Sequence, residues 1–135
     1  MASIQKEVEI AAPADAVWAV LRDFGGLLKL APGFVTGCAL EEEGTVRLVT
    51  FFNGMQLRER LVTLDDAARR IVYTAFGGST THHNASAQVI PLDAQRCRFV
   101  WIADLLPHAM APAVAGMIEA GLAAMKAHAE PRSSL

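Results

Sequence analysis

Arg47, Glu59, Tyr73 and His83 have the types and spacing for proton chemistry inside an apolar enclosure. From Met55 onward the odd positions are Met55, Leu57, Glu59, Leu61 and Thr63, and the even ones include Gln56, Arg58 and Arg60. A period of two therefore puts the Glu59 carboxylate on the apolar face of a strand. His83, Ala85, Ala87 and Val89 alternate in the same way with Asn84, Ser86 and Gln88, which turns an imidazole inward beside two side chains too small to fill space. Ile71, Tyr73 and Ala75 form the better inward set of the strand between, so a phenol faces the same interior. A carboxylate and a histidine in one enclosure can divide the acid and base roles. Two plainer roles remain open: Glu59 as an ion-pair partner of Arg47 on the neighbouring hairpin strand, and His83 as a hydrogen-bonded histidine at the mouth. His82 and His83 are a poor metal pair, because adjacent strand residues face opposite ways, and no metal site is expected.

The elements that must position these groups follow from pattern. Ser3 to Ile10 alternates as a strand with a wet face. Pro13 opens a helix with Asp15 in its first turn and a stripe of Val17, Trp18, Leu21 and Phe24; Gly25-Gly26 ends it. A short helical turn spans Leu27 to Leu30 and stops at Pro32-Gly33. Six further strands are predicted at Phe34–Leu40, Thr45–Phe52, Met55–Leu64, Arg69–Phe76, His82–Ile90 and Arg96–Leu106, joined by short turns, with Asn53-Gly54 the strongest hairpin signal. In the last strand Cys97, Phe99, Trp101, Ala103 and Leu105 point inward. Pro107 to Glu130 is then one long helix with Met110, Val114, Met117, Gly121 or Leu122, and Met125 at helical spacing. Sequential antiparallel strands with one apolar face need a cover, and this helix supplies it. The fold class is α+β, one domain over residues 1–135.

Composition narrows function. At 135 residues and 53% hydrophobic the chain has a rich core, read here as a core with an apolar chamber. With net charge −2 and no basic cluster, nucleic acid is not an expected partner. The N-terminus lacks a signal-type apolar run, and Ala109 to Ala127, built of Ala and Gly around Glu119, is read as too weak for a membrane span; a cytoplasmic protein is expected, as monomer or homodimer. Cys38 and Cys97 show no metal-type spacing and are assigned no chemistry.

The runs VEIAAPADAVWAVLRDFGGLLKLAPGFVTGCAL and GTVRLVTFFNGMQLRERLVTLDDAARRIVYTAFGG, with CRFVW and the terminal GLAAM helix, resemble the START-related ligand-binding superfamily. That superfamily (SRPBCC) includes bacterial polyketide cyclase/dehydrase-like proteins, the birch-pollen allergen type and the plant abscisic-acid receptors. The resemblance implies a helix-grip fold: a seven-stranded antiparallel sheet wrapped around the long C-terminal helix, with two short helices after the first strand. It also implies a cavity for a hydrophobic small molecule. The glutamate of ERL is Glu59 and the arginine of VR is Arg47, while Met117 and Gly121 match helix positions that face the cavity. His83 departs from the tyrosine often found there, and Thr36 replaces the plant receptors' basic residue, so a carboxylate-bearing hormone is not indicated.

The leading expectation is a cavity that binds an aromatic or polyketide-like molecule and performs cyclase/dehydratase or lyase-type acid–base chemistry without a cofactor. Glu59 and His83 are the catalytic candidates; Arg47, Phe51, Tyr73, Trp101, Met117 and Gly121 are the ligand-binding ones. The alternatives are a carrier or sensor without turnover and a partner-binding accessory protein; family membership alone does not decide among them.

Overall fold

The computed structural model describes residues 2–130; the single domain expected over 1–135 extends past these at both ends. Strand β1 (Ala2–Ile10) is followed by α1 (Ala14–Leu21) and α2 (Leu27–Leu30). Then come β2 (Val35–Glu41), β3 (Val46–Phe51), β4 (Gln56–Asp65), β5 (Arg70–Phe76), β6 (His82–Asp93) and β7 (Arg96–Leu106), and finally α3 (Ala111–Ala129). The seven strands form one antiparallel sheet in the order β1-β7-β6-β5-β4-β3-β2, so the meander closes by setting the first strand beside the last. This is the helix-grip arrangement: the sheet's apolar face meets α3, and α1 and α2 close one side.

Both covers are held by polar clamps at their rims. Lys126 Nζ donates to the Glu9 carbonyl at 2.8 Å, Glu130 Oε2 accepts from the Ala11 N–H at 2.9 Å, and Lys6 pairs with Glu119 at 3.0 Å, so α3, from Glu119 onward, is tied to β1 and its end. On the other side the β4–β5 turn holds α1. Asp66 accepts from Trp18 Nε1 at 2.9 Å and from Arg22 Nε at 2.8 Å, and Arg69 Nη2 pairs with Asp15 at 2.8 Å. Each exposed pair is weak alone; their value is to fix where the apolar covers sit.

Three local features depart from the alternation rule. Phe52, Asn53 and Gly54 make a three-residue hairpin loop, with Gly54 N–H bonded to the Phe51 carbonyl at 2.9 Å and φ +85° at Gly54 alone, in place of the expected two-residue Asn-Gly turn. A left-handed glycine after a tight turn is the usual way to absorb the extra residue. In β4 the register shifts between Leu61 and Thr63, so Leu64 packs inward and Thr63, expected inside, is exposed. On α3 the deepest residues are Ile118, Gly121, Leu122 and Met125, whereas Met117 is half-buried. The helix is turned about one position from the phase that the methionine stripe suggests.

By length and composition His108–Ala129 reaches the threshold for a membrane span, with mean hydropathy 1.2, contrary to the expectation that Ala and Gly would leave it too weak. Its exposed face carries Ala113, Ala120, Ala123 and Ala127 and no large apolar side chain, and its bulky residues face the sheet. If α3 is the cover the sheet depends on, Leu122→Ala should lower stability by roughly 2–5 kcal/mol in urea unfolding, the usual cost of a large-to-small core change. A loss below about 1 kcal/mol would show that the helix does not close the core.

Candidate functional site

Strand register assembles the site. Arg47 lies opposite Glu59, and Glu59 opposite Ala75, so the three share one face in one row across β3, β4 and β5. One row along, Tyr73 lies opposite Ala85, which faces Ala103; beyond it Ile71, Ala87 and Trp101 form a third row. Alanines thus flank the two large polar aromatics. Where a chamber is expected from small residues the structure has a cavity of about 40 Å³, with Ala87 and the rings of Tyr73, Phe99 and Trp101 in its lining. It is lined mainly by Leu21, Leu27, Leu30, Phe34, Phe51, Phe99 and Met125, with Arg47, Glu59, Tyr73 and Trp101 as its polar members.

The ion pair at its end is the deepest polar feature of the protein. Arg47 Nε donates to Glu59 Oε1 at 2.8 Å, with side-chain exposures of 4% and 9%, and Arg47 Nη1 donates to the Phe24 carbonyl at 3.3 Å. The guanidinium lies 4.2 Å from the centre of the Phe24 ring and 5.0 Å from that of Tyr73, which adds cation–π attraction on desolvated faces. Glu59 Oε2 and Arg47 Nη2 have no hydrogen-bond partner among the described residues, whereas the Trp101 indole N–H is directed at the Tyr73 hydroxyl. Yet no fully buried side-chain nitrogen or oxygen there goes without one. Glu59 Oε2 and Arg47 Nη2 therefore retain some accessible surface, in residues that line the cavity. Burial pushes the Tyr73 phenol well above the usual phenolic range, and the Glu59 charge pushes it further; Arg47 and the nearby indole N–H oppose this only in part. Tyr73 is thus a neutral hydrogen-bond donor at any physiological pH.

His83 has a different place. It is half-buried, and its Nδ1 accepts the Ala75 N–H at 3.0 Å while Thr74 donates its hydroxyl to the His83 carbonyl. Paired residues of β5 and β6 run only from Arg70↔Gln88 to Tyr73↔Ala85; beyond that point the imidazole itself stands in as the strand acceptor. His83 is not part of the cavity lining, and the structure does not bring it together with Glu59 as a hydrogen-bonded pair. Its ring centre lies 6.2 Å from that of Tyr73.

Of the other sequence candidates, Phe51, Tyr73, Trp101 and Arg47 lie in the lining and Met117 does not. Gly121 sits directly over it: a Cβ there would come within 2.9 Å of the Trp101 ring and 3.1 Å of Phe34. Glycine is needed for that close approach, so enlarging it disturbs packing as well as the cavity. Phe34, Leu21, Leu27, Leu30 and Met125 were not singled out as site residues. Phe34 carried a signal in following Pro32-Gly33, the stop that ends α2 and turns the chain into the sheet. Among the described residues no group of three His, Cys, Asp or Glu side chains could hold a metal ion.

Sheet, covering helix and an apolar cavity with one buried ion pair together define a protein of the helix-grip fold. The chain belongs to the family described as polyketide cyclase / dehydrase and lipid transport, whose model matches residues 1–130. Its fold is similar to that of a START superfamily protein from Mycobacterium smegmatis, with TM-score 0.74, 18% identity, and 94% of this chain and 96% of that one covered. It is similar to the di-domain ARO/CYC BexL from the BE-7585A biosynthetic pathway, with TM-score 0.83, 19% identity, and 95% of this chain and 46% of that one covered. A norcoclaurine synthase from Thalictrum flavum, in complex with a transition state analogue, matches with TM-score 0.68, 22% identity, and 93% and 92% covered. No curated protein matches the chain in sequence. At these identities the likeness is one of fold.

The His83 bond carries a pH dependence. Burial holds its folded pKa below the ordinary value of 6.5, outweighing Glu59, which raises it, while His82 lowers it further. The unfolded chain therefore binds the proton first, so the stability from neutral His83 is complete above about pH 6.5 and is lost as pH falls toward the folded value. His83→Asn keeps an acceptor but cannot titrate. Urea unfolding from pH 7 down to about 5.5 should show a smaller loss of stability in His83→Asn than in wild type; equal slopes would mean that His83 does not titrate on unfolding.

Proposed function

We propose that the protein binds a hydrophobic, aromatic or polyketide-like small molecule in the cavity beneath α3 and performs a cofactor-independent proton transfer on it with Glu59. The observation that carries this reading is Oε2 of Glu59: a carboxylate oxygen without a protein partner, in a residue that Arg47 holds by its other oxygen and that lines an otherwise apolar cavity. Such a group adds nothing to stability that a hydrophobic pair would not, because a buried ion pair recovers its desolvation cost only when its remaining acceptors are satisfied. A base in a dry cavity, fixed in direction by a guanidinium, suits cyclisation with dehydration or a lyase-type step. The family description names both cyclase/dehydrase activity and lipid transport, so the preference for turnover here rests on Glu59.

His83 serves this reading from outside the cavity by holding the β5–β6 edge, and Tyr73, a neutral phenol on the lining, is the nearer donor for the acid role. Binding requires the cavity to grow, since one of about 40 Å³ is well short of the roughly 150 Å³ that accepts a benzene ring. Met125 on α3 is the flexible wall, and methionine adapts readily to a new neighbour.

Compounds that co-purify with the protein, released and identified by mass spectrometry, supply the substrate for the test. Glu59→Gln keeps shape and one hydrogen bond to Arg47 but removes the proton site. It should bind that compound with little change and turn it over roughly a hundredfold more slowly, or worse. Recovery of the compound chemically unchanged from wild type, or full turnover in Glu59→Gln, would replace this reading with that of a carrier.

A further inference from the structure

Outside the enclosure of sheet and α3, a groove of about 200 Å³ lies where α1, α2 and the last turn of α3 meet. That exceeds the 40 Å³ of the inner cavity and the roughly 150 Å³ that accepts a benzene ring. Its floor is apolar. Val17 and Leu30 are buried there, and Leu30 is also a wall of the inner cavity, so one side chain stands between the two spaces. The groove stays open because Ala16 on α1 and Ala129 on α3 are too short to fill it, while Val20, one turn beyond Ala16, continues the apolar row along α1. Its two polar lining residues are Lys29 and His128, both exposed and both basic. Lys29 pairs with no carboxylate among the described residues. The carboxylates next to lining residues in sequence are engaged elsewhere: Glu130 by Lys126 and the Ala11 N–H, and Asp15 by Arg69.

An apolar trough with basic groups at its rim and no acid in its lining is complementary to a molecule with an apolar chain and an anionic end. We propose that this groove is a second binding site, for an alkyl carboxylate whose chain lies over Val17, Val20 and Leu30 and whose head reaches Lys29, with His128 alongside. Burial of the chain supplies the affinity and Lys29 the preference for a negative head, because an exposed ion pair is worth little alone. In the inner cavity the one cation, Arg47, is already bonded to Glu59 at 2.8 Å, so a carboxylate finds an uncommitted counter-ion only at the groove. Leu30 is the one lining residue the two spaces share, and the groove binds its ligand whether or not the inner cavity performs chemistry.

The test is calorimetric titration of the full chain with butanoate, hexanoate, octanoate and octylammonium. Affinity should rise roughly two- to fourfold for each added methylene, and octanoate should bind roughly tenfold more tightly than octylammonium. Lys29→Gln should cut that preference to about threefold or less. Its unfolding midpoint should match wild type, because Lys29 is exposed. Ala16→Leu, also at an exposed position, fills the groove and should weaken octanoate roughly tenfold, whereas Glu59→Gln in the inner cavity should leave it within about twofold. No binding of octanoate, equal binding of octanoate and octylammonium, or octanoate affinity unchanged in both groove variants would overturn the proposal. A loss in Glu59→Gln as large as in Ala16→Leu would overturn it by moving the carboxylate to the inner cavity. A wild-type dimer in sedimentation that Ala16→Leu dissolves would overturn it by giving the groove to a second copy of the chain.

Discussion

A guanidinium and a carboxylate, 2.8 Å apart and almost wholly out of water, set the constraint that the rest of this structure meets. Taking two charges from solvent costs several kcal/mol each, and their attraction offsets that only with good geometry and further partners. The fold supplies them. The Phe24 carbonyl accepts from Arg47 at the end of α1, two aromatic rings cover the guanidinium, and cross-strand register holds Glu59 opposite its partner. Glu59 Oε2 and Arg47 Nη2 are left without a partner among the described residues.

The covers follow from the same constraint. A cavity that keeps water from the pair must be roofed, and α3 is fixed over it by its C-terminal half through Lys126 and Glu130, with Gly121 pressed to Trp101 and Phe34. The stretch before Glu119 carries Val114 and Met117 only half-buried and makes no such clamp among the described residues. Under the proposed function, room for a ligand would come from movement of the Met125 side chain, while the ion pair, built into two adjacent strands, stays fixed.

Much of this was legible in the chain. Alternation placed Glu59, Tyr73 and Trp101 on the covered face, and the hairpin made Arg47 and Glu59 neighbours, because a period of two is dictated by backbone geometry alone. What was not legible depends on interruptions of that geometry. The bulge after Leu61 exchanges Thr63 for Leu64. The three-residue loop at Phe52–Gly54 replaces the two-residue turn. His83 became a strand acceptor because β5–β6 pairing lapses beyond Tyr73, a matter of long-range register that no local pattern carries. The volume of the cavity was equally hidden, since Ala85 and Ala87 announce space but not which neighbouring ring takes it. On α3, methionine spacing suggested a phase that Ile118 and Leu122 override, because packing follows the bulk that fits the sheet.

The central claim is that the Arg47–Glu59 pair is kept for chemistry in the cavity rather than for the fold, and a double-mutant cycle tests it most directly. Urea unfolding would be measured for wild type, Arg47→Met, Glu59→Leu and the double variant, with turnover of the co-purifying compound followed in parallel. Each single change should cost roughly 3–5 kcal/mol by leaving a buried charge alone, and the double variant should regain most or all of that stability while losing turnover. A double variant that remains as unstable as the single ones, or one that is stable and still active, would contradict the account.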